Sequence, residues 1–260
     1  MWLPPVKQNL YSVKIVIYNA QMARKSTHAR VRRAAGELVR RARKRSAPRS
    51  TASSADAPYH HGALRDALLE AAETVLERDG LAGLTLRAVA REAGVSHAAP
   101  THHFGDLTGL VSELAAIGFR QFNMAMVEAG ASAAMPLEKA MARAKAYVAY
   151  ARAHPGMYGL MFRTERLDMT RPSLCEAANA SFAGLAGAIG ASRQEQISES
   201  ALSLQHAADI VRAWSLVHGF TMLLLDGRLT DVLGRLPEGT DAEALLDAML
   251  KRAIGQMPVA

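Results

Sequence analysis

Cysteine is almost absent from this 260-residue chain. Cys175 stands alone, which excludes an internal disulfide framework and fits a reducing compartment. A lone cysteine of this kind is expected to pack as a small hydrophobe rather than act in redox chemistry. Aromatic residues are scarce at 5%, although half of the residues are hydrophobic and Ala, Leu, Arg and Glu dominate. That mixture favours helices, and no run alternates with period two for long enough to suggest a sheet. No stretch reaches the roughly 18 uncharged apolar residues that a membrane span needs. Residues 1–21 lack the order of a secretory signal, because their apolar run at 13–18 is short and interrupted by Lys14. Phosphate loops, paired carboxylates in a common motif, Ser/His/Asp sets and metal-ligand spacings are missing too, so neither an enzyme nor a cofactor is expected. The absences together imply a cytoplasmic, mostly α-helical chain with no membrane association.

The net charge of +7 is unevenly placed. Residues 24–49 hold eleven Lys and Arg against Glu37 alone, whereas residues 50–260 carry 18 basic and 23 acidic groups. Residues 29–44 could form a basic helix on an anion, but alone their like charges repel. A Ser/Ala/Pro linker follows at residues 46–58. Residues 1–58 are therefore expected to be a basic arm and linker, either a solvated tail or an arm that meets phosphates. Met22 offers an alternative start within it.

Residues 85–104, TLRAVAREAGVSHAAPTHHF, carry the strongest local pattern. They predict a short helix, a turn at Ala93-Gly94-Val95 and a second short helix opening at Ser96. Ala90 is small enough for a close crossing, and Gly94 can take the left-handed backbone that stops the first helix. Val89, Ala93 and Val95 supply apolar contact, while Thr85 and Ser96 are the expected N-caps. This is a helix-turn-helix, and its second helix is a candidate for a DNA major groove. Ahead of it, Leu64, Leu68, Ala71, Ala72, Val75 and Leu76 recur at helical spacing from about residue 63 to Asp79-Gly80. Behind it, Asp106 caps a predicted helix over 107–130. Further helices are expected at 136–154, in GMYGLMF, at 172–191, at 199–225 and at 241–254, with a polar segment at 163–170. The fold class is all-α with about nine helices. A three-helix domain at residues 59–105 precedes a larger helical bundle at 106–260.

ALLEAA, GLAGLTLRAVAREAGVS and the closing His103-Phe104 resemble the TetR-type bacterial transcription regulators, with good coverage from Tyr59 to about Leu114. The opening YHHG-LR, Ala99-Pro100 and, in the C-terminal half, Trp214, His218 and Gly219 resemble a subgroup with a Trp-His-Gly signature. The resemblance implies a homodimer with an N-terminal DNA-binding domain. It also implies a C-terminal domain for dimerisation and small-molecule sensing, in which ligand lowers operator affinity. The chain departs from the family in having Thr101 where Tyr is usual and Leu107 where Lys is usual, both positions that typically meet phosphate. Pro100, about four residues into the expected recognition helix, would remove one backbone hydrogen bond there. Residues 59–104 hold four Arg against six acids. Phosphate affinity must then come from helix N-termini, hydroxyls and partly protonated histidines, with the arm as compensation.

The expected DNA-facing residues are Thr85, Arg87, Ser96, His97, Ala98, Thr101 and His102, with His97 aimed at base edges and His102 at the backbone. His103 is expected to pack or cap. The histidines at 60, 61, 97, 102 and 103 lack an acid or cysteine at ligand spacing, so no metal site is assigned. In the C-terminal half Phe122, Tyr158, Met161, Phe162, Trp214, His218 and Met222 are candidates to line an apolar ligand pocket. Trp214, His218 and Met222 share one helix face by their spacing of four, and that stripe reads equally as core or dimer interface. His218 is the informative member, because a buried imidazole needs a partner. Residues 199–225 and 241–254 are the expected dimer helices. Two-fold pairing would place the recognition helices about 34–36 Å apart on a near-palindromic operator. The leading function is a ligand-responsive transcriptional repressor. A sequence-tolerant architectural DNA binder and a helical-bundle carrier or enzyme are the alternatives.

Overall fold

In the computed structural model, which describes residues 59–198 and 201–255, every regular element is helical. The basic arm and linker expected at residues 1–58 lie outside the described residues, as do residues 199 and 200, where the helix before Leu204 was expected to open. Ten α-helices and one 3-10 turn are present among the described residues, one helix more than the sequence pattern suggested.

Helix α1 (Tyr59–Gly83) forms because Leu68, Ala71, Ala72, Val75 and Leu76 fall on one face, and all five are buried. Gly80, at φ 67°, takes left-handed backbone and kinks the helix, and residues 81–84, which the sequence suggests as a loop, are mostly one further helical turn. Helix α2 (Leu86–Glu92) starts at Thr85, whose Oγ1 accepts the Ala88 amide at 3.1 Å. It stops at Gly94, also at φ 67°, where the Val95 amide donates back to the Ala90 carbonyl at 3.0 Å. Ala88, Val89 and Ala90 are buried, as the crossing requires.

Helix α3 (Ala99–Phe104) corrects two expectations. Ser96 is not its N-cap. Residues 96–98 form a turn, closed by the Ala99 amide on the Ser96 carbonyl at 3.0 Å, and Ala98 is the cap, without a side-chain bond. Pro100 therefore stands in the first turn, where an N–H would have no intrahelical partner, and it removes no hydrogen bond. Proline chemistry has moved the helix start to suit itself. Pro100 and Phe104 are both buried, so α3 is held by its two ends.

Helix α4 (Leu107–Ala131) is the spine of the larger half. Asp106 Oδ1 accepts the Gly109 amide at 2.7 Å, and Leu110, Leu114, Phe119 and Phe122 are buried along it. Helices α5 (Pro136–Ala153), α6 (Pro155–Met161) and α7 (Pro172–Arg193) pack against α4, with a 3-10 turn at Thr164–Arg166 in the polar segment. Each of these three helices has proline in its first turn. Helix α8 (Leu204–Leu225) is capped by Ser203, whose Oγ accepts the His206 amide at 3.0 Å. A short helix that the pattern missed, α9 (Thr230–Leu233), leads to α10 (Ala242–Gly255). A satellite core of Ala144, Val148, Phe220, Leu229, Leu246 and Leu250 ties α5, α8 and α10 together. Glu77 of α1 joins the two halves by accepting the Gly156 and Met157 amides at 3.2 and 2.9 Å, a carboxylate on the first turn of α6. Cys175 is half-buried, and its thiol donates to the Met169 carbonyl.

Ala90 is fully buried with its carbonyl already engaged, so a larger side chain has no room. Ala90→Leu is expected to destabilise the protein by about 1–3 kcal/mol, read from the midpoint of chemical denaturation. A midpoint equal to that of the parent protein would show that the crossing is not tight at this position.

Candidate nucleic-acid interface and buried aromatic cluster

Turn chemistry decides what α2 and α3 show to solvent. Thr85, Arg87, Ser96, His97, Ala98, Thr101 and His102 are all exposed, while Val89, Ala90, Pro100 and Phe104 face inward. The Thr85 hydroxyl already accepts the Ala88 amide, which leaves its proton as its outward donor. His103 is half-buried, with its ring against those of His102 and Phe104, in keeping with a packing role. Residues 96–104 hold no Lys, Arg, Asp or Glu, so the outward surface of the second helix has no permanent charge.

The four arginines of this region divide into two pairs. Arg78 is neutralised by Asp79 at 3.0 Å and Glu92 at 2.8 Å, and Arg65 pairs with Glu113 at 2.7 Å. Arg87 and Arg91 on α2 are exposed and make no ion pair among the described residues. Leu107 is half-buried, and no charge is available there. The surface therefore offers hydroxyls, imidazoles and two guanidinium groups on a convex helical face, a set that suits groove edges and phosphates.

In the C-terminal half the sequence candidates converge on His218. Its Nδ1 lies 2.9 Å from Tyr147 Oη and 2.8 Å from Tyr158 Oη, and the two hydroxyls are 3.1 Å apart. Burial pushes the Tyr147 hydroxyl well above the ordinary tyrosine value, with Tyr158 adding to the shift, and burial also raises Tyr158. Burial lowers His218 below the usual histidine value. All three groups are thus uncharged at neutral pH. A neutral ring that accepts at Nδ1 carries its proton on Nε2, an assignment made from the hydrogen-bond pattern. One hydroxyl donates to Nδ1 and the other donates to its neighbour's oxygen.

Phe162 stacks edge-on to His218 at 4.8 Å and packs on Tyr158 and Phe119. Phe122 is buried against the Tyr147 and Tyr150 rings, and Trp214 lies 6.3 Å from His218. Met161 is buried against Gly118 of α4, where a side chain would collide with Met157. Met222 does not join the cluster: it is 39% exposed. Each step of four residues overshoots a helical turn by about 40°, so by the second step the side chain has rotated out of the Trp214 face.

Tyr147 was missed from the sequence, although a signal was present. Ala144, Tyr147, Val148 and Ala151 form a stripe at helical spacing, and a tyrosine in such a stripe needs a partner for its hydroxyl. A cleft of about 410 Å³ lies elsewhere, lined by Arg152, Pro155, Leu224, Leu225, Asp241, Ala242 and Glu243. None of the seven candidate ligand residues lines it.

Helix α8 is apolar yet little buried, and by length and composition alone it could cross a bilayer. It carries Asp209, paired with Arg193 of α7, and the exposed Arg212. Leu204, Ala208, Val211, Ser215 and Met222 form an exposed stripe along its outer side.

Two family models match the chain. One, described as bacterial regulatory proteins of the tetR family, matches residues 68–114, and one described as the tetracyclin repressor-like C-terminal domain matches residues 140–253. Among solved structures, a protein of unknown function from Rhodococcus sp. RHA1 is similar at 33% identity and TM-score 0.61, over 76% of this chain and 96% of that one. The transcriptional regulator FadR from Bacillus subtilis, in complex with stearoyl-CoA, shares the fold at 16% identity and TM-score 0.54, over 74% of this chain and 98% of that one. The fatty acid degradation regulator FadR from Bacillus halodurans does so at 13% identity and TM-score 0.53, over 80% and 100%. No curated protein matches the chain.

The lowered His218 value has a consequence for stability. Below about pH 6.5 the unfolded chain takes up a proton that the buried ring resists. The folded state then loses stability until the pH reaches the ring's own lower value. His218→Gln is expected to flatten the thermal stability profile below about pH 6.5 relative to the parent protein. Parallel profiles would mean that the ring protonates as freely when folded as when unfolded.

Proposed function

The chain belongs to the tetR family of bacterial regulatory proteins, and from that premise we propose that it is a cytoplasmic transcriptional repressor whose operator affinity is changed by a small apolar ligand. The observation that carries this reading is the outward set on α2 and α3. All seven residues named for DNA from the sequence are exposed on a helix-turn-helix whose inward residues are all apolar. His97 and Ala98, in the turn that leads into α3, are assigned to base edges. Thr85, Arg87, Ser96, Thr101 and His102 are assigned to phosphates, and the basic arm supplies further phosphate contacts. Residues 59–105 are the DNA-binding domain and residues 106–260 the ligand and dimerisation domain.

The ligand is assigned to the wall formed by Phe122, Tyr158, Met161, Phe162, Trp214 and His218. Every polar group of this wall is uncharged at neutral pH, and both tyrosine hydroxyls meet His218 at Nδ1, which leaves Nε2 as the ring's donor. An apolar molecule with one hydrogen-bond acceptor fits that inventory. The resemblance of Trp214, His218 and Gly219 to the Trp-His-Gly signature supports assigning the chain to that subgroup of the family.

A second copy of the chain is assigned to the exposed stripe of α8. Helix α10 contributes less than its sequence suggested, since Leu246 and Leu250 are buried within the subunit. Two-fold pairing through α8 presents two recognition helices to a near-palindromic site.

Competition binding against random duplex tests the reading, with the operator taken from genome-wide mapping of bound DNA. Operator affinity is expected to exceed random-DNA affinity by about 10³ or more. Equal affinities would sink the regulator and favour the sequence-tolerant DNA binder. His97→Ala should relax base preference and leave random-DNA affinity nearly unchanged, whereas uniform weakening on every sequence would assign His97 to the backbone. Val211→Glu, in the middle of the α8 stripe, is expected to shift the protein from dimer to monomer in sedimentation velocity. A dimer undiminished by that charge would place the interface elsewhere.

A further inference from the structure

The end of the recognition helix is held from an unexpected direction. Helix α3 has six residues, too few for a helix to persist by itself in water. The chain leaves it at Gly105, φ 83°, whose amide returns to the Thr101 carbonyl at 2.9 Å. No helical donor remains for the carbonyl of Phe104. Arg171, the residue before α7, supplies one: its Nη2 donates to Phe104 O at 3.1 Å. The same guanidinium donates from Nη1 to Glu113 Oε1 of α4 at 3.3 Å, and its Nε lies 3.8 Å from Asp168 Oδ2.

Glu113 gathers three elements. Its side chain is 14% exposed and accepts from Arg65 of α1 at 2.7 Å, from Arg171, and from Ser173 of α7 at 2.9 Å. Arg65 in turn lies over the Phe104 ring, 5.5 Å from its centre. Phe104 is thus gripped twice, by Arg65 on its ring and by Arg171 on its carbonyl, and both guanidinium groups lock onto one carboxylate. Gly109 leaves the space for this, since a side chain there would collide with both the Phe104 carbonyl and the Arg171 guanidinium. Arg171 also has a fixed base. The Asp168 amide donates to the buried Ser112 hydroxyl at 2.8 Å, and Asp168 accepts the Thr170 amide and hydroxyl at 3.0 and 2.6 Å. That segment begins at Phe162, whose ring stacks on His218.

We propose that Arg171 is a positioning residue for DNA recognition: with Glu113 it clamps the C-terminal end of α3 onto α4 and α7 and fixes the angle at which α3 is presented. This role presupposes the DNA-reading function proposed above. Arg171 belongs to none of the exposed DNA-facing positions, and it is half-buried. Its effect on DNA therefore passes through α3. A planar fork is required, because one side chain must satisfy a carbonyl and a carboxylate on different elements at once. Lysine brings the charge without the fork.

Two measurements on the full chain test the clamp. The first needs no DNA: amide hydrogen exchange at His102 and Gly105, the amides that close α3. Arg171→Ala is expected to speed their exchange by about tenfold while amides in the middle of α4 are unchanged. The second uses the operator and random duplex. Arg171→Ala should weaken operator binding by about tenfold, as expected for one charged hydrogen bond, and leave both the random-DNA affinity and the salt slope unchanged. Arg171→Lys should behave as Ala in both assays. Should Arg171→Ala fail to fold, Glu113→Gln, which keeps the shape and removes the charge, is expected to give the same signature at smaller size. Unchanged exchange at His102 and Gly105 would overturn the clamp. So would equal losses on operator and random DNA with a shallower salt slope, since Arg171 would then be touching phosphate itself. A parent protein that cannot tell operator from random duplex would sink the DNA-reading function, and the exchange result would still decide the clamp.

Discussion

A recognition helix of six residues depends on others for its existence. Fixing each residue costs about 1–2 kcal/mol of backbone entropy, and so short a helix closes too few internal hydrogen bonds to offset it. The rest of the N-terminal region serves this constraint. Gly94 turns the chain sharply enough for α2 to lie beside α3, and Pro100 enters the first turn with its φ already set. Phe104 buries the far end. With both ends anchored in apolar contact, the outward positions are free of structural duty and can be chosen for what they touch. This explains how a segment so poor in charge keeps its shape without an ion pair of its own.

The C-terminal half meets a different constraint, polar groups inside an apolar bundle. Three of them, Tyr147, Tyr158 and His218, come from three different helices, α5, α6 and α8. Buried alone, each would cost the free energy of an unmade hydrogen bond. Together they satisfy one another, and burial keeps them uncharged. Such a network is sensitive to displacement, since moving any one helix leaves two groups short of a partner. Helix α6 is the shortest of the three, and its first turn is held by Glu77 from α1. Tyr158 on α6 therefore stands between a carboxylate of the N-terminal region and the imidazole of α8.

Legibility in the sequence followed locality. Helices whose ends are marked by Thr85, Gly94, Asp106, Pro136, Pro155 and Pro172 were placed to within a few residues, because caps and prolines act on their own neighbours. Ser96 failed for the same local reason: Pro100 sets the first turn of α3, which pushes the start beyond the residue that looked like a cap. The aromatic cluster was legible as a list of residues, since Trp, Tyr, Phe and His are few in this chain. Met222 stands outside the cluster because spacing by four holds a common face for one step and drifts by the second. The partners of Tyr147 and of the Arg171–Glu113–Arg65 network were illegible for another reason. They lie 11 to 71 residues apart in the chain, and no periodicity reports which side chain of one helix meets which of another.

Helix α8 joins the two demands. One flank carries His218 and Trp214 to the aromatic cluster, and the adjoining flank carries Leu204, Val211 and Met222 to solvent. A helix of its length is a stiff rod of roughly 33 Å, and it cannot twist one side without turning the other. In the proposed dimer the exposed flank is held by its two-fold mate, so the flank that carries His218 becomes a fixed wall. A molecule that wedges against His218 then cannot move α8 and must displace what faces it, namely Tyr158 on α6 and Phe162 beyond it. Those two residues lead straight into the segment that ends at Arg171 and the carbonyl of Phe104. In the proposed dimer, pairing through α8 would direct strain toward the recognition helix, because α8 would be held both by its mate and by the bundle while the segment from Phe162 to Arg171 is held only within the subunit.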